Sequence, residues 1–161
     1  MVITEKYIRS ILQGVTDPEI PVLTIGDMGI INAVELMDNR VKVIITPTYS
    51  GCPAMDMIKV NIYSALQDHG IHNVEVEMVI SPAWTTDWIT EEGKKKLKAY
   101  GIAPPVGNVN KKNLMFEEIK VPCPLCSSEN TSMISQFGST PCKSLYKCNS
   151  CLEPFDYFKC H

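Results

Sequence analysis

The chain has 161 residues, of which 45% are hydrophobic and 20% charged, with a formal net charge of −3. This is the balance of a folded domain, alone or with a small added module, and not that of a disordered chain. It offers no basic footprint for nucleic acid or an anionic membrane, and no apolar window approaches the roughly eighteen residues of a membrane span.

Ile3 to Leu12 reads as a helix, with Tyr7, Ile8, Ile11 and Leu12 along one side and Gly14 as its stop. The following TDPEIPVLTIGDMG is too rich in Pro, Gly and Asp for regular structure. Ile30 to Met37 and Val41 to Thr46 read as strands joined by Asp38-Asn39-Arg40 in a short hairpin turn. From Pro53 to Asp68, Met55, Ile58, Ile62, Ala65 and Leu66 recur at helical spacing. Asn73 to Ile80 alternates, which predicts Val74, Val76, Met78 and Ile80 inward and Glu75 and Glu77 outward. A last helix opens at Thr90, carries Glu91 and Glu92 in its first turn and closes at Gly101. The order α-β-β-α-β-α makes a compact α+β domain over residues 1–105.

After Ala103 the periodicity stops. Residues 106–118 read as a linker, and residues 119–161 as a cysteine-rich module of short strands and turns. The first piece has 13 acidic and 9 basic residues, the second 5 and 6. Six of the seven cysteines fall in the last 39 residues. The odd number and the lack of a secretory leader argue for metal binding in a reducing, cytoplasmic setting and against a disulfide framework.

Cys123-Pro-Leu-Cys126 and Cys148-Asn-Ser-Cys151 are two CxxC turns separated by 21 residues. Each turn aims two sulfurs at one ion, and two turns complete a tetrahedron. Thr131 to Phe137 going out and Ser144 to Lys147 returning form the hairpin between them, the layout of a zinc ribbon. Four thiolates without an open position imply a structural ion; zinc is expected, and the same donors suit iron in a rubredoxin-like site. Cys142 and Cys160 stand near as accessory thiols, and His161 is terminal. Cys142 reads first as a small packed hydrophobe, second as half of a metal- or sulfur-handling pair with Cys160.

Cys52 lies apart, in TPTYSGCPAMDM. Proline is favoured at the first helical position, so Cys52 is expected at the N-cap, where amides and the helix dipole stabilise a thiolate. No base accompanies it. His69 and His72 lie at the far end of the same helix, about 25 Å away by its rise per residue. Asp17 and Glu19 of the DPEIP loop could approach, although turn formation explains each of them as well. Trp84 and Trp88 read either as partner anchors or as packing over the sheet edge.

The stretches DPEIPVLTIGDMGIINAVEL, VKVIITPTYSGCPAMDMI and VEVEMVISPAWTTDW resemble a widespread small α/β family linked to iron–sulfur cluster assembly, over roughly residues 3–103. The continuation through SPAWTTDWITEEGKKKLKAYGIAPP, FGSTPCKSLYKC and EPFDYFKC resembles the D-subunit family of bacterial phenylacetyl-CoA epoxidase systems, over almost the whole chain. Ser127 departs from the glycine common after the second cysteine of such a turn.

The resemblance implies an accessory role in aerobic phenylacetate breakdown. Cys52, with Asp17 and Glu19, would be a transient contact for iron or an iron–sulfur cluster on its way to the oxygenase or reductase subunit. A non-catalytic binding subunit is the alternative. No Glu-x-x-His pair for a di-iron site and no dinucleotide fingerprint is present, so the oxidation itself is not expected of this chain. Nucleic acid is a weak third reading, despite Lys143, Lys147 and Lys159 among Tyr146 and Phe158. The oligomeric state stays open, a homodimer included.

Overall fold

The computed structural model describes residues 2–107 and 119–159. They form, in order, α1 (Glu5–Leu12), β1 (Ile31–Met37), β2 (Arg40–Ile45), α2 (Ala54–Gln67), β3 (Val74–Met78), α3 (Glu91–Ala99), β4 (Ile102–Ala103), β5 (Thr131–Ser135), β6 (Lys143–Cys148) and β7 (Pro154–Phe158), with a short 3-10 turn at Thr86–Trp88. Mixed helices and strands were expected, and the α-β-β-α-β-α order is what is found. Packing divides the chain into two compact units, Met1–Trp84 and Thr85–His161. The break in composition near residue 105 marks a different place. By packing, α3 and β4 belong with the cysteine-rich part, and the expected linker lies almost wholly outside the described residues.

In the first unit β1, β2 and β3 make one sheet in that order, β1–β2 antiparallel and β2–β3 parallel. The hairpin turn is tighter than expected: Met37 pairs with Arg40, leaving only Asp38 and Asn39 in the loop. Val41, Val43 and Ile45 alternate inward from β2 and are buried. Ile8, Ile11 and Leu12 of α1 and Met55, Ile58, Ile62 and Leu66 of α2 are buried as well. The apolar stripe of each helix is thereby removed from water, the main source of stability here. Thr4 caps α1 through Oγ1, which accepts from the Tyr7 amide at 3.2 Å.

One expectation fails. β3 ends at Met78, and Met78 and Ile80 are exposed rather than inward. β3 is an edge strand, so its alternation marks two partly wetted faces instead of a core face and a solvent face. Glu75 and Glu77 do point outward, pairing with Arg40 and Lys42 of the neighbouring strand.

The second unit carries a four-stranded sheet, β4-β7-β6-β5. The β5–β6 hairpin follows expectation. β7 and the two-residue β4, which pairs parallel to it, were not foreseen. Ala103, Val121, Cys123, Tyr146, Cys148, Phe155 and Tyr157 form the core. Tyr146 stacks on Phe155 and meets Tyr157 edge-on, with ring centroids 5.9 and 5.6 Å apart. On β6, Lys143 is buried with its Nζ 4.0 Å from Asp156. A side chain at Gly138 would place its Cβ 2.6 Å from Asp156 Oδ1, so Asp156 would have to turn aside to admit one.

Candidate metal centre and the Cys52 loop

Cys123, Cys126, Cys148 and Cys151 come together with all four Sγ atoms within 4.8 Å of one another. Cys123 and Cys151 are 3.8 Å apart, and Cys126 and Cys148 are 3.5 Å apart. A disulfide needs about 2.05 Å, so these are not bonded pairs. Four sulfurs each about 2.3 Å from a central ion would sit roughly 3.8 Å from one another. The donor set thus fits a single tetrahedral ion and supplies it with four soft thiolates and no open position.

The two turns share one construction. The Cys123 amide donates to the Ser128 carbonyl at 2.9 Å, and the Cys148 amide to the Glu153 carbonyl at 3.0 Å. The residue after each second cysteine is left-handed, Ser127 at φ 63° and Leu152 at φ 67°. Neither is glycine, so both carry steric cost. Replacing exposed Leu152 by Gly is expected to raise the module's stability by about 0.5–1 kcal/mol in urea melts, and Leu152→Val to lower it. Backbone amides aim at the sulfurs as well. Those of Cys151 and Ser150 draw the Cys148 thiol down to about 6. Cys151 receives the Glu153 amide, yet burial and the neighbouring sulfurs push it up to about 12. A cation among them removes that conflict, because it lets all four ionise.

In the first unit, topology gathers three loops at one end of the sheet: residues 13–30 before β1, 46–53 after β2 and 79–84 after β3. The Thr46 amide donates to the Ile30 carbonyl, and Trp84 Nε1 donates to the Met28 carbonyl at 2.8 Å. Trp84 is buried, which makes it packing rather than a partner anchor. Asp17 is buried too, and its Oδ1 accepts the Glu19 and Ile20 amides, both at 2.8 Å. Its visible work is to shape the DPEIP loop. Glu19 is half-buried on that loop.

Cys52 is half-buried in the 46–53 loop, its amide donating to the Tyr49 carbonyl at 3.2 Å. α2 starts at Ala54, one residue later than expected, with Pro53 already at helical dihedrals and no side chain capping the first turn. Cys52 therefore precedes a helix N-terminus without capping it. Gly51, at φ 81° with nothing within 4 Å of where a Cβ would lie, leaves the approach open. Cys142 is buried, with Thr140 Oγ1 3.0 Å from its sulfur, in keeping with a packed thiol. Cys160 and His161 lie outside the described residues, so the Cys142–Cys160 pairing does too.

Comparison with known proteins bears on both sites. Residues 5–78 match the family model described as iron-sulfur cluster assembly protein, and residues 108–159 match the PaaD zinc beta ribbon domain. Over 95% of its length the chain is 48% identical to a protein of Escherichia coli (strain K12) provisionally named as the D subunit of 1,2-phenylacetyl-CoA epoxidase, covering 91% of that protein. The chain belongs to the D-subunit family of phenylacetyl-CoA epoxidase. Over part of its length the chain also resembles shorter proteins. It is 34% identical over 58% of the chain to the Fe-S protein maturation auxiliary factor of Porphyromonas gingivalis (strain ATCC BAA-308 / W83), covering 90% of that protein. A domain of unknown function from Bacillus anthracis superposes with a TM-score of 0.54 at 25% identity, covering 58% of this chain and 90% of that one. A conserved hypothetical protein of Thermotoga maritima superposes with a TM-score of 0.51 at 30% identity, covering 59% and 94%.

For this member of the D-subunit family, sequence reasoning had found the four clustered cysteines and the Cys52 turn. It missed Trp84 as the tie between two of the loops beside that turn. It also missed the left-handed Leu152, whose position one residue after a CxxC was the available signal. Among the described residues no helix is long and apolar enough to cross a membrane.

Proposed function

We propose that this protein is a cytoplasmic maturation factor of the phenylacetyl-CoA epoxidase system that assists insertion of iron or an iron–sulfur cluster into the oxygenase or reductase subunit. The observation that carries the reading is the Cys52 turn. A half-buried thiol precedes an uncapped helix N-terminus beside an open glycine, at the loop end of an assembly-type sheet. Such a thiol is suited to brief ligation, because sulfur is a soft donor for iron and the open side of the turn lets a metal reach it. The name of the Porphyromonas gingivalis relative supports the same chemistry. Asp17 holds the DPEIP loop in shape, and Glu19 is the carboxylate we assign to assist Cys52. The ribbon's four cysteines hold zinc as a structural ion, whose binding stabilises the module.

The test is iron and acid-labile sulfide in the oxygenase and reductase subunits, produced with the wild-type chain, with Cys52→Ser, or without it. Cys52→Ser is expected to stay folded with unchanged zinc content while loading of one client subunit falls several-fold. Full loading with Cys52→Ser would sink the reading. The Escherichia coli relative is named as a subunit, which favours the alternative, a non-catalytic binding role. Stoichiometric co-elution with the oxygenase, indifferent to Cys52→Ser, would select that role.

A further inference from the structure

Each cysteine turn has one anchored sulfur and one outer sulfur. Cys123 and Cys148 are buried in the core of the module, whereas Cys126 is exposed and Cys151 half-buried. A competing chelator therefore meets Cys126 and Cys151 first. It reaches the ion only when the segments that carry these two residues part.

Those segments are tied to one another outside the donor set. Ser128 stands two residues after Cys126 and Ser150 directly before Cys151, and their Oγ atoms lie 2.8 Å apart. Ser128 is itself fixed to the first turn. Its carbonyl accepts the Cys123 amide at 2.9 Å, and its Oγ accepts the Asn130 amide at 3.1 Å. A second tie runs between Asn130 and Asn149. The Asn149 amide donates to the Asn130 carbonyl at 2.9 Å, and Asn149 Nδ2 donates to Asn130 Oδ1 at 3.1 Å. Asn149 and Ser150 are the two residues between the ligands of the second turn, so both are joined to the chain that continues the first.

We propose that the Ser128–Ser150 bridge is a clasp that keeps the two cysteine turns closed and slows release of the metal they hold. It rests on the four-cysteine site alone and not on Cys52. No serine oxygen is needed as a donor, because four sulfurs already complete a tetrahedron. Hydrogen bonds just outside a donor set govern how firmly it holds its metal. Here the bond joins the outer parts of both turns, so neither can swing away without breaking it. Ser150 is exposed and Ser128 half-buried, and neither belongs to the module's core, which separates the clasp from the packing.

The test follows zinc transfer from the zinc-loaded full chain to excess pyridylazoresorcinol, read by absorbance. Ser150→Ala is expected to release zinc about two- to tenfold faster than the wild type, the factor that one net hydrogen bond adds to a barrier. Ser150→Thr, which keeps the hydroxyl, is expected to release it at the wild-type rate. Ser128→Ala should be faster too, and the double substitution no faster than Ser128→Ala alone, because one bridge cannot be lost twice. The cobalt-loaded forms are expected to keep the wild-type ligand-field bands, as the four sulfurs stay in place. Unchanged release in Ser150→Ala, effects that multiply in the double substitution, or a Ser150→Thr as labile as Ser150→Ala overturns the proposal. So does a shifted cobalt spectrum in Ser150→Ala, which would make the bridge a determinant of coordination and not a clasp.

Discussion

Cys148→Ser is expected to unfold the C-terminal module, with loss of bound zinc and of the near-ultraviolet signal of Tyr146, Phe155 and Tyr157. Cys148 is fully buried within the core that these rings build, so the ligand and the packing fail together. A core of this size is too small to hold such a module unaided. A structural zinc site contributes apparent binding energy on the order of 10–16 kcal/mol, far more than so small a core can replace. A competing chelator is expected to produce the same spectrum as the substitution, and added zinc to reverse only the chelator's effect. A module that keeps its near-ultraviolet signal after metal removal would show that packing suffices.

Trp84→Ala should cost about 3–5 kcal/mol in urea unfolding of the first unit, the range for deleting a buried large aromatic side chain. Two losses combine. The indole's buried surface goes, and the Met28 carbonyl is left without the donor that reached it. Trp84→Phe separates them, since it keeps most of the bulk and removes the N–H, at an expected cost of about 1–2 kcal/mol. Equal losses for the two substitutions would mean that the hydrogen bond, not burial, governs. Either change should also loosen the 79–84 loop against the 25–30 turn, measurable as faster amide exchange at both.

Much of this architecture was legible because its periods are clean. The stripes of α1 and α2 and the inward valines of β2 mark one core, and two CxxC turns at ribbon spacing mark one ion. Where the reading failed, a local pattern was decided by something distant. Ile80 continues a faultless alternation, but the strand stops at Met78 because the ladder with β2 ends there. Trp84 could have faced a partner or a core, and the sequence does not say that the Met28 carbonyl waits 56 residues earlier. β4 is two residues whose strand character exists only because β7 pairs with them. Asp17 reads first as a turn former and only second as a metal contact, and the amides of Glu19 and Ile20 show it engaged in the first.

The pairing of β4 with β7 bears on how the cysteine-rich part can be separated from the rest. The outer strand of its sheet comes from Ile102 and Ala103, upstream of the first residue matched by the ribbon family model. Ala103 fills part of the same core, and Tyr157 accepts the Val106 amide through its hydroxyl. A fragment cut at the composition break would therefore leave β7 as a raw edge beside an unfilled hollow. One beginning at Thr85 would carry its own border with it, so the portable piece of this chain is longer than its cysteines suggest.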